Sequence, residues 1–589
     1  MPNENGNALA TREQPTDLVN FKIKLNGTDM NGEYALVGLT VFKSFNKIAY
    51  AKVTLSDGDP AKQDFEISSK EDALVPGSEI EIAMGYHEQA KTVFKGLIIK
   101  HALRSGKNKK SFLTIEAKDK AIKLVAGRKN FCYLEQTDKE IIQKITKRAG
   151  LSGGDLVMDD TPVKHAQMVQ YNAVDWDFVV ARAEMNGLLV LPDDNKLLIQ
   201  KPNTNQEPAK DITYGVDVIE FESEIDAGSQ LKQVKAQAWN VKDQKIEESP
   251  EAKVSFKENG NLKADQLAEA VNRQEDNLVH GGSLTTDELK AWSEARLLKS
   301  RLAKTIGRIK LKGTTELKPG QVLKLNGFSK RFNGNVFITG IRHSYELSVW
   351  ETDIQFGLPE NWFYQREDIL EKPAAGLIPG INGLQIALVT QLEDDPEQQD
   401  RIKIQLPLID RKEAIWARIA SLDAGKERGA FFRPEINDEV VVGFLNDDPR
   451  YPVILGMLNS SKNPAPISAK DTNHDKGFVT RSKMKLTFND EKKIINLETP
   501  KGKKIEINDD KDAIVLSDQN NNKITLDSAG IKIESAKDIV LKTASGTIKM
   551  EAANINGKAT AKFSAEGSAT ASLQSSGQTV VKGSIVNIN

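Results

Sequence analysis

ITLDSAGIKIESAKDIVLKTASGTIKM, residues 524–550, sets apolar pairs at a nearly fixed beat. The pairs are Ile524/Leu526, Ile531/Ile533, Ile539/Leu541 and Ile548/Met550, which are the expected core positions. From Ile524 to Ile548 the chain advances 24 residues in three steps, a mean period of 8. Within each unit apolar and polar residues alternate, as a half-buried strand requires. The beat continues at Ile555, Phe563 and Ala571 and reaches Val580, with glycines such as Gly530, Gly546 and Gly557 at the bends. A short fixed period of alternating strands predicts a β-solenoid over residues 481–589.

Eight extended residues reach roughly 26 Å at about 3.3 Å each, so a three-sided turn made from one octad has sides of about 9 Å. Facing sheets need about 10 Å, so one octad is not a complete turn. Either three successive octads of one chain form each turn, or three chains each supply one side. Beyond residue 555 small residues take over (Ala559, Ala561, Ala565, Ala569, Ala571), which predicts a thinner shaft there.

Upstream of the repeat, SSKNPAPISAKDTNHDKG is a polar connector, placed at residues 461–480. Residues 373–460 carry five short strand signals: LQIALVTQL, DRIKIQLPLI, AIWARIAS, EVVVGFLNDDP and PVILGML. That set predicts a small OB-like barrel. Pro373, Gly376, Pro379, Gly380 and Gly383 mark a linker before it. Residues 17–372 alternate strand runs with three helical segments. The first helix opens at Thr137 with Glu140 three residues on, a capping box, and stops at Gly150. The others are AVDWDFVVARAEMNG and TTDELKAWSEARLLKSRLAKTIG. VPGSEIEIAMGY near residue 75 is echoed by KPGQVLKLNGF near residue 318, which predicts two related barrels. The fold class expected is therefore mainly β: two barrels with helical insertions, an OB barrel, and a C-terminal β-helix. Residues 1–16 are read as a disordered start.

A chain of 589 residues with net charge −2 offers no basic field for nucleic acid. The lone cysteine, Cys132, excludes intrachain disulfides and a cysteine-based zinc site within one chain. No stretch nears 18 apolar residues, and the polar opening has no signal-peptide pattern. Synthesis in the cytoplasm without a signal peptide is the expectation.

ERGAFFRPEINDEVVVGFLNDDPRYPVILGMLNS, residues 427–460, resembles the OB domain of VgrG-type spike proteins of type VI secretion and their relatives in phage tails and extracellular contractile injection systems. The matching positions are Pro434, Asp438, Glu439, Asp448, Pro449, Arg450, Pro452 and Gly456. YNAVDWDFVVARAEMNGLLV resembles a helix of the family's tail-hub half, and the module order matches over nearly the whole chain. The resemblance implies a homotrimer whose tails intertwine into a triple-stranded β-helical needle. It also implies a hub that adapts threefold to sixfold symmetry, an inner-tube protein and baseplate components as partners, and transient contact with a target membrane. A PAAR-type tip is expected to sit on Val586, Asn587, Ile588 and Asn589. Delivery would be extracellular or into target cells. No cofactor, metal or fused enzymatic cargo is expected.

Other motifs have blander readings. Gly150-Leu151-Ser152-Gly153-Gly154 fits G-x-S-x-G, but a helix precedes the serine where a nucleophile elbow needs a strand. His87-Glu88 lacks the second histidine of H-E-x-x-H. Asp518, Asn520 and Asn522 begin like a calcium loop, yet Lys523 and Ala529 replace its glycine and bidentate glutamate. The competing function is a tailspike enzyme cleaving surface polysaccharide, with Glu498, Glu506 and Glu534 as its candidate acids. A trimeric adhesin is a third reading, which predicts receptor-binding decoration at the free end.

Overall fold

In the computed structural model, residues 18–588 are described, apart from Glu88, Asn108, Lys109, Ser152 and Leu370. The expected disordered stretch 1–16, Ser152 of the G-x-S-x-G motif, Glu88 of the truncated zinc motif and Asn589 of the tip site therefore lie outside the described residues. The chain is mainly β and divides into two compact units between Pro379 and Gly380.

The first unit is built on a 13-stranded sheet whose two halves repeat one another. In the first half the strands run Asn20–Leu25, Glu79–Gly85, Lys91–Ser105, Ser111–Lys118, Tyr50–Ser56, Leu36–Ser44. In the second they run Lys210–Thr213, Val322–Asn326, Gly334–Glu346, Val349–Phe356, Thr305–Lys312, Val218–Ile225. The sequence echo is the visible part of this duplication. Gly77 and Gly320 both take positive φ, +100° and +91°, where a Cβ is disfavoured. Gly77 N–H donates to Ile98 O at 2.8 Å and Ile98 N–H to Ser78 O at 2.9 Å. Gly320 N–H donates to Ile338 O and Ile338 N–H to Gln321 O at the same two distances.

Bulges recur too: the ladders slip between Ile98 and Lys100 and between Ile338 and Gly340. They slip again between Leu36 and Gly38 and between Val218 and Glu220. One difference stands out. Asn20–Leu25 joins its neighbour antiparallel, whereas Lys210–Thr213 joins parallel. Each half keeps its own apolar core, one around Ile82, Phe94 and Ile115, the other around Ile309, Ile338 and Ile354. Leu36–Ser44 pairs antiparallel with Gly334–Glu346, and that seam makes the two barrel-like halves one sheet.

Helices Asp138–Arg148, Asp175–Met185 and Thr286–Leu302 form where the caps and stripes predict. Thr137 and Glu140 make the expected capping box, and Thr285 with Glu288 makes a second. The first helix ends in a Schellman turn: Gly150 N–H donates to Lys147 O and Leu151 N–H to Thr146 O, with Gly150 at φ +76°.

A buried cluster ties these helices together. The His165 ring lies 3.1 Å from Asp138 and 2.9 Å from Glu288, while Arg182 grips Asp138 through two nitrogens. The two carboxylates push the His165 pKa up to about 9, against burial. In the unfolded chain it reverts to near 6.5. Its contribution is thus whole below pH 6.5 and lost as pH rises through 9. Between pH 7 and pH 10 the parent is expected to lose about 2.5 kcal/mol more than His165→Gln, since one pKa unit is about 1.4 kcal/mol and part of the 6.5-to-9 interval lies below pH 7. Thermal melts of both across that range check this; parallel curves would contradict it.

The second unit opens with a closed five-stranded barrel: Gln385–Gln391, Ile402–Gln405, Ile415–Ile419, Pro452–Met457 and Glu439–Phe444. All five expected strands are present, around Val389, Ile404, Val440 and Ile454. After it, seven strands from Asp475–Val479 to Gly530–Glu534 form an antiparallel meander.

The repeat needs a correction here. Starting at residues 475, 485, 494, 504, 513, 523 and 530, the strands advance by nine or ten residues until a last step of seven. Five-residue strands joined by hairpin loops set that spacing, so the octad beat does not begin at 481. No strand is assigned among the described residues from Ser535 onward, and Ile539, Leu541, Ile548 and Met550 lie there at 52–69% exposure. Octads too short to close a turn leave such pairs without an in-chain ladder.

Candidate functional site: the apolar face of the C-terminal sheet

Alternation along each strand of the meander puts one residue set on one face. Register aligns those sets across strands: Leu486 opposes Leu497, Ile495 opposes Ile507, Ile505 opposes Leu516, Ile514 opposes Leu526 and Ile524 opposes Ile533. The result is one continuous apolar stripe from Phe478 to Ile533. Ile524, Leu526, Ile531 and Ile533, expected as core, are on this stripe. Yet Ile505, Ile507, Ile514, Leu516, Ile524 and Leu526 are each 37–40% exposed, and Ile531 reaches 73%. Isolated exposed leucines are ordinary, but a contiguous stripe marks an interaction surface.

The opposite face carries the three glutamates, each beside a lysine. Glu506 is held by Lys504 and Asn508, which draw its carboxyl below the usual range, Asn508 first. Lys532 does the same to Glu534. Glu498 lies 3.8 Å from Lys485. Asp518 caps its own hairpin by accepting from the Asn520 and Asn522 main-chain N–H groups at 2.8 and 3.0 Å, the bland reading of that motif.

The signature positions of the barrel are turn chemistry. Asp448, 5% exposed, accepts from the Arg450 main chain at 2.9 Å and binds its guanidinium at both oxygens. This fixes the hairpin between Glu439–Phe444 and Pro452–Met457, with Pro449 inside it. Asp438 accepts from Glu435 N–H at 2.8 Å, closing the turn that begins at Pro434. Glu439 and Pro452 start strands, and Gly456 sits beside a bulge opposite Val441. Phe432 of the barrel stacks on Phe478 of the meander at 5.3 Å, and Arg481 pairs with Glu435 at 2.9 Å. Val586, Asn587 and Ile588 are exposed and outside any strand.

Sequence reasoning missed a cleft of about 730 Å³ in the first unit. Lys299 there pairs with Glu184 at 2.8 Å and lies over the Trp362 ring. Its members are spread from Ser44 to Arg366, so no local pattern announces it.

Family models match three stretches of the chain. Residues 15–346, more than half of it, match the Alg8 N-terminal domain. Residues 385–458 match the type VI secretion system/phage-baseplate injector OB domain, and 494–561 the phage baseplate V C-terminal trimerisation domain. The chain belongs to the Alg8 N-terminal domain family and is a VgrG-type spike protein.

Among relatives of this spike are the type VI secretion system spike protein VgrG5 of Pseudomonas aeruginosa, 33% identical over 112 residues, and VgrG3 of Vibrio cholerae, 32% identical over 101. The matched stretches cover 18% and 16% of this chain, and only 14% and 10% of those two proteins. A solved relative is the E. coli c3393 protein, described as a component of the type VI secretion system. It is 15% identical at a TM-score of 0.39, with 74% of this chain and all of that one covered. Among the described residues of the spike, no helix is long and apolar enough to cross a membrane, which says nothing of strands.

Proposed function

We propose that this spike works as a homotrimer: three C-terminal ribbons bury their apolar stripes against one another and form a rigid needle. The observation that carries the reading is the continuous, half-exposed stripe from Phe478 to Ile533 within a stretch that overlaps the trimerisation-domain match. Half-burying a side chain of this size contributes about 1 kcal/mol, so a dozen give on the order of 10 kcal/mol per chain before association costs. A lone ribbon cannot collect that term. A triangular arrangement supplies a partner for each face.

The needle then concentrates the work of a contractile machine on a small area, and shape and stiffness do the job. The duplicated hub supports the symmetry-adapting role, because three chains with two equivalent halves present six similar surfaces to a hexameric tube. A PAAR-type tip at Val586, Asn587, Ile588 and Asn589, and baseplate proteins around the hub, complete the partners. The chain is made in the cytoplasm and leaves the cell within the particle. It acts as a mechanical part without enzymatic activity. The carboxylates named for polysaccharide cleavage speak for this reading. The Glu506 carboxyl, bonded by Asn508 and Lys504, and that of Glu534, bonded by Lys532, are both held below the usual carboxylate range, whereas a glycosidase needs one acid kept protonated.

Electron microscopy of purified injection particles, with gold-labelled antibody to this chain, tests the placement. Label at one end of the particle is expected; label along the shaft, or confined to protein free of particles, would contradict it.

A further inference from the structure

Lys43 lies where three parts of the first unit meet, and its side chain is turned inward. It stands on Leu36–Ser44, opposite Ile341, with that side chain only 9% exposed. Its Nζ bonds Asp193 Oδ1 and donates to Asp194 Oδ1 at 2.7 Å. Both aspartates belong to the hairpin that joins Leu189–Asp193 to Lys196–Gln200. That hairpin packs with two of the helices around Val190 and Ile199, and Lys318, beside the second Pro-Gly turn, lies 3.8 Å from Asp193. The turn is locked in place. Asp194 and Asn195 take positive φ, +55° and +70°, and Asn195 N–H donates to the buried Asp119 carboxylate at 2.7 Å. Asn195 Oδ1 accepts in return from Lys120 N–H at 3.2 Å. The surroundings are dry: burial pushes the Asp119 carboxyl up to about 6, and burial with the Lys43 charge draws the His343 ring down to about 3.

We propose that Lys43 and Asp193 condense into an amide, a covalent tie between the first barrel and the helical insertion. The bond that forms joins Lys43 Nζ to Asp193 Cγ, and the bond that breaks holds one carboxylate oxygen to that Cγ. The ammonium gives up two of its three protons, and these leave with the oxygen as water. Ammonium and carboxylate therefore balance amide and water, with no oxidant and no activating group. Asp194, bonded to the same Nζ, is placed to take the first proton and free the amine lone pair. It then passes that proton to the departing oxygen, as a general base turned general acid does.

Two physical effects favour the bond. A nucleophile held against its target reacts as though present at an effective molarity of about 10⁵–10⁸ M. A buried ion pair keeps the desolvation cost of two charges, whereas the amide is neutral. Other lysine pairs lack one or other condition. Lys100 and Glu116 are 58% and 38% exposed, so water solvates both ions. Lys304 and Glu258 are buried, but the other partners of that Nζ are the Asn259 and Leu262 carbonyls, which do not carry protons as a carboxylate does. A tie of this kind suits a part loaded by contraction, since an amide does not separate under tension as an ion pair does.

Mass spectrometry of the full folded chain reads the bond. The denatured parent is expected to weigh one water less than its sequence. Trypsin is expected to release one branched peptide that joins the segments around Lys43 and Asp193. Lys43→Arg and Asp193→Ala are each expected to show the full sequence mass and no branch. Followed from the moment of folding, Asp194→Asn is expected to form the branch about a hundredfold more slowly. The parent alone decides the matter if a variant fails to fold. A parent at its full sequence mass, with both segments recovered as linear peptides, overturns the amide and leaves an ion pair. A branch formed at the parental rate in Asp194→Asn overturns the proton transfer assigned to Asp194.

Discussion

Leu516→Asp is expected to abolish assembly, leaving single chains or aggregates where the parent is expected to form trimers. Leu516 sits mid-stripe, opposed by Ile505 on one side and Ile524 on the other. In the proposed needle the substitution is made three times around one axis. Three carboxylates would converge in an apolar interior with no cation among the stripe residues beside them. Isolated buried charges carry penalties of several kcal/mol each, and loss of three leucine contacts adds to that. Val515, the next residue along, points to the other face, so Val515→Asp is the control and is expected to assemble. Velocity sedimentation of both variants reads the outcome. Equal behaviour of the two would mean that the stripe is not an interface.

The second large effect belongs to the hub. Lys304 is 1% exposed, and its Nζ donates to Glu258 at 2.9 Å, Asn259 O at 2.8 Å and Leu262 O at 3.1 Å. Burial draws its pKa below the usual lysine range, with Glu258 opposing. The side chain anchors residues 258–262 against the start of Thr305–Lys312, where Gly260 lies so close to the Arg331 carbonyl that no Cβ fits. Lys304→Met leaves Glu258 without its lysine partner and the Asn259 and Leu262 carbonyls without that donor. About 3–5 kcal/mol of hub stability is the expected loss, as for other broken buried pairs. Adding Glu258→Met removes the stranded charge and is expected to recover part of it. Denaturant titration of the parent, single and double variants measures both terms; an unchanged midpoint for Lys304→Met would contradict the argument.

Local signals made much of this architecture legible. Thr137 with Glu140 announced a helix because a capping box acts within four residues. The Pro-Gly pairs at 76–77 and 319–320 announced the duplication because a positive φ demands glycine wherever it occurs. The barrel was readable from five alternating runs with distinct turn chemistry, and Asp448-Pro449-Arg450 proved to be one of those turns. What stayed hidden was long-range. The seam joins residues 38–44 to 340–346, and nothing near either segment names the other. The His165 cluster draws on Asp138, Arg182 and Glu288, each from a different helix.

The repeat was misread upstream of 530 for a physical reason. The last hairpin, with Asp527 opposite Gly530, is so tight that it imitates an octad step of seven. Earlier hairpins have longer loops and a longer beat. The apolar pairs expected as core positions are 37–73% exposed in the single chain, and the proposed needle would cover them with partner chains.

Threefold association is the claim on which the spike account stands, and mass in solution tests it most directly. Sedimentation equilibrium of the intact chain at neutral pH is expected to return three times the 65.0 kDa of one copy. A well-folded species at 65.0 kDa, stable on dilution, would contradict it.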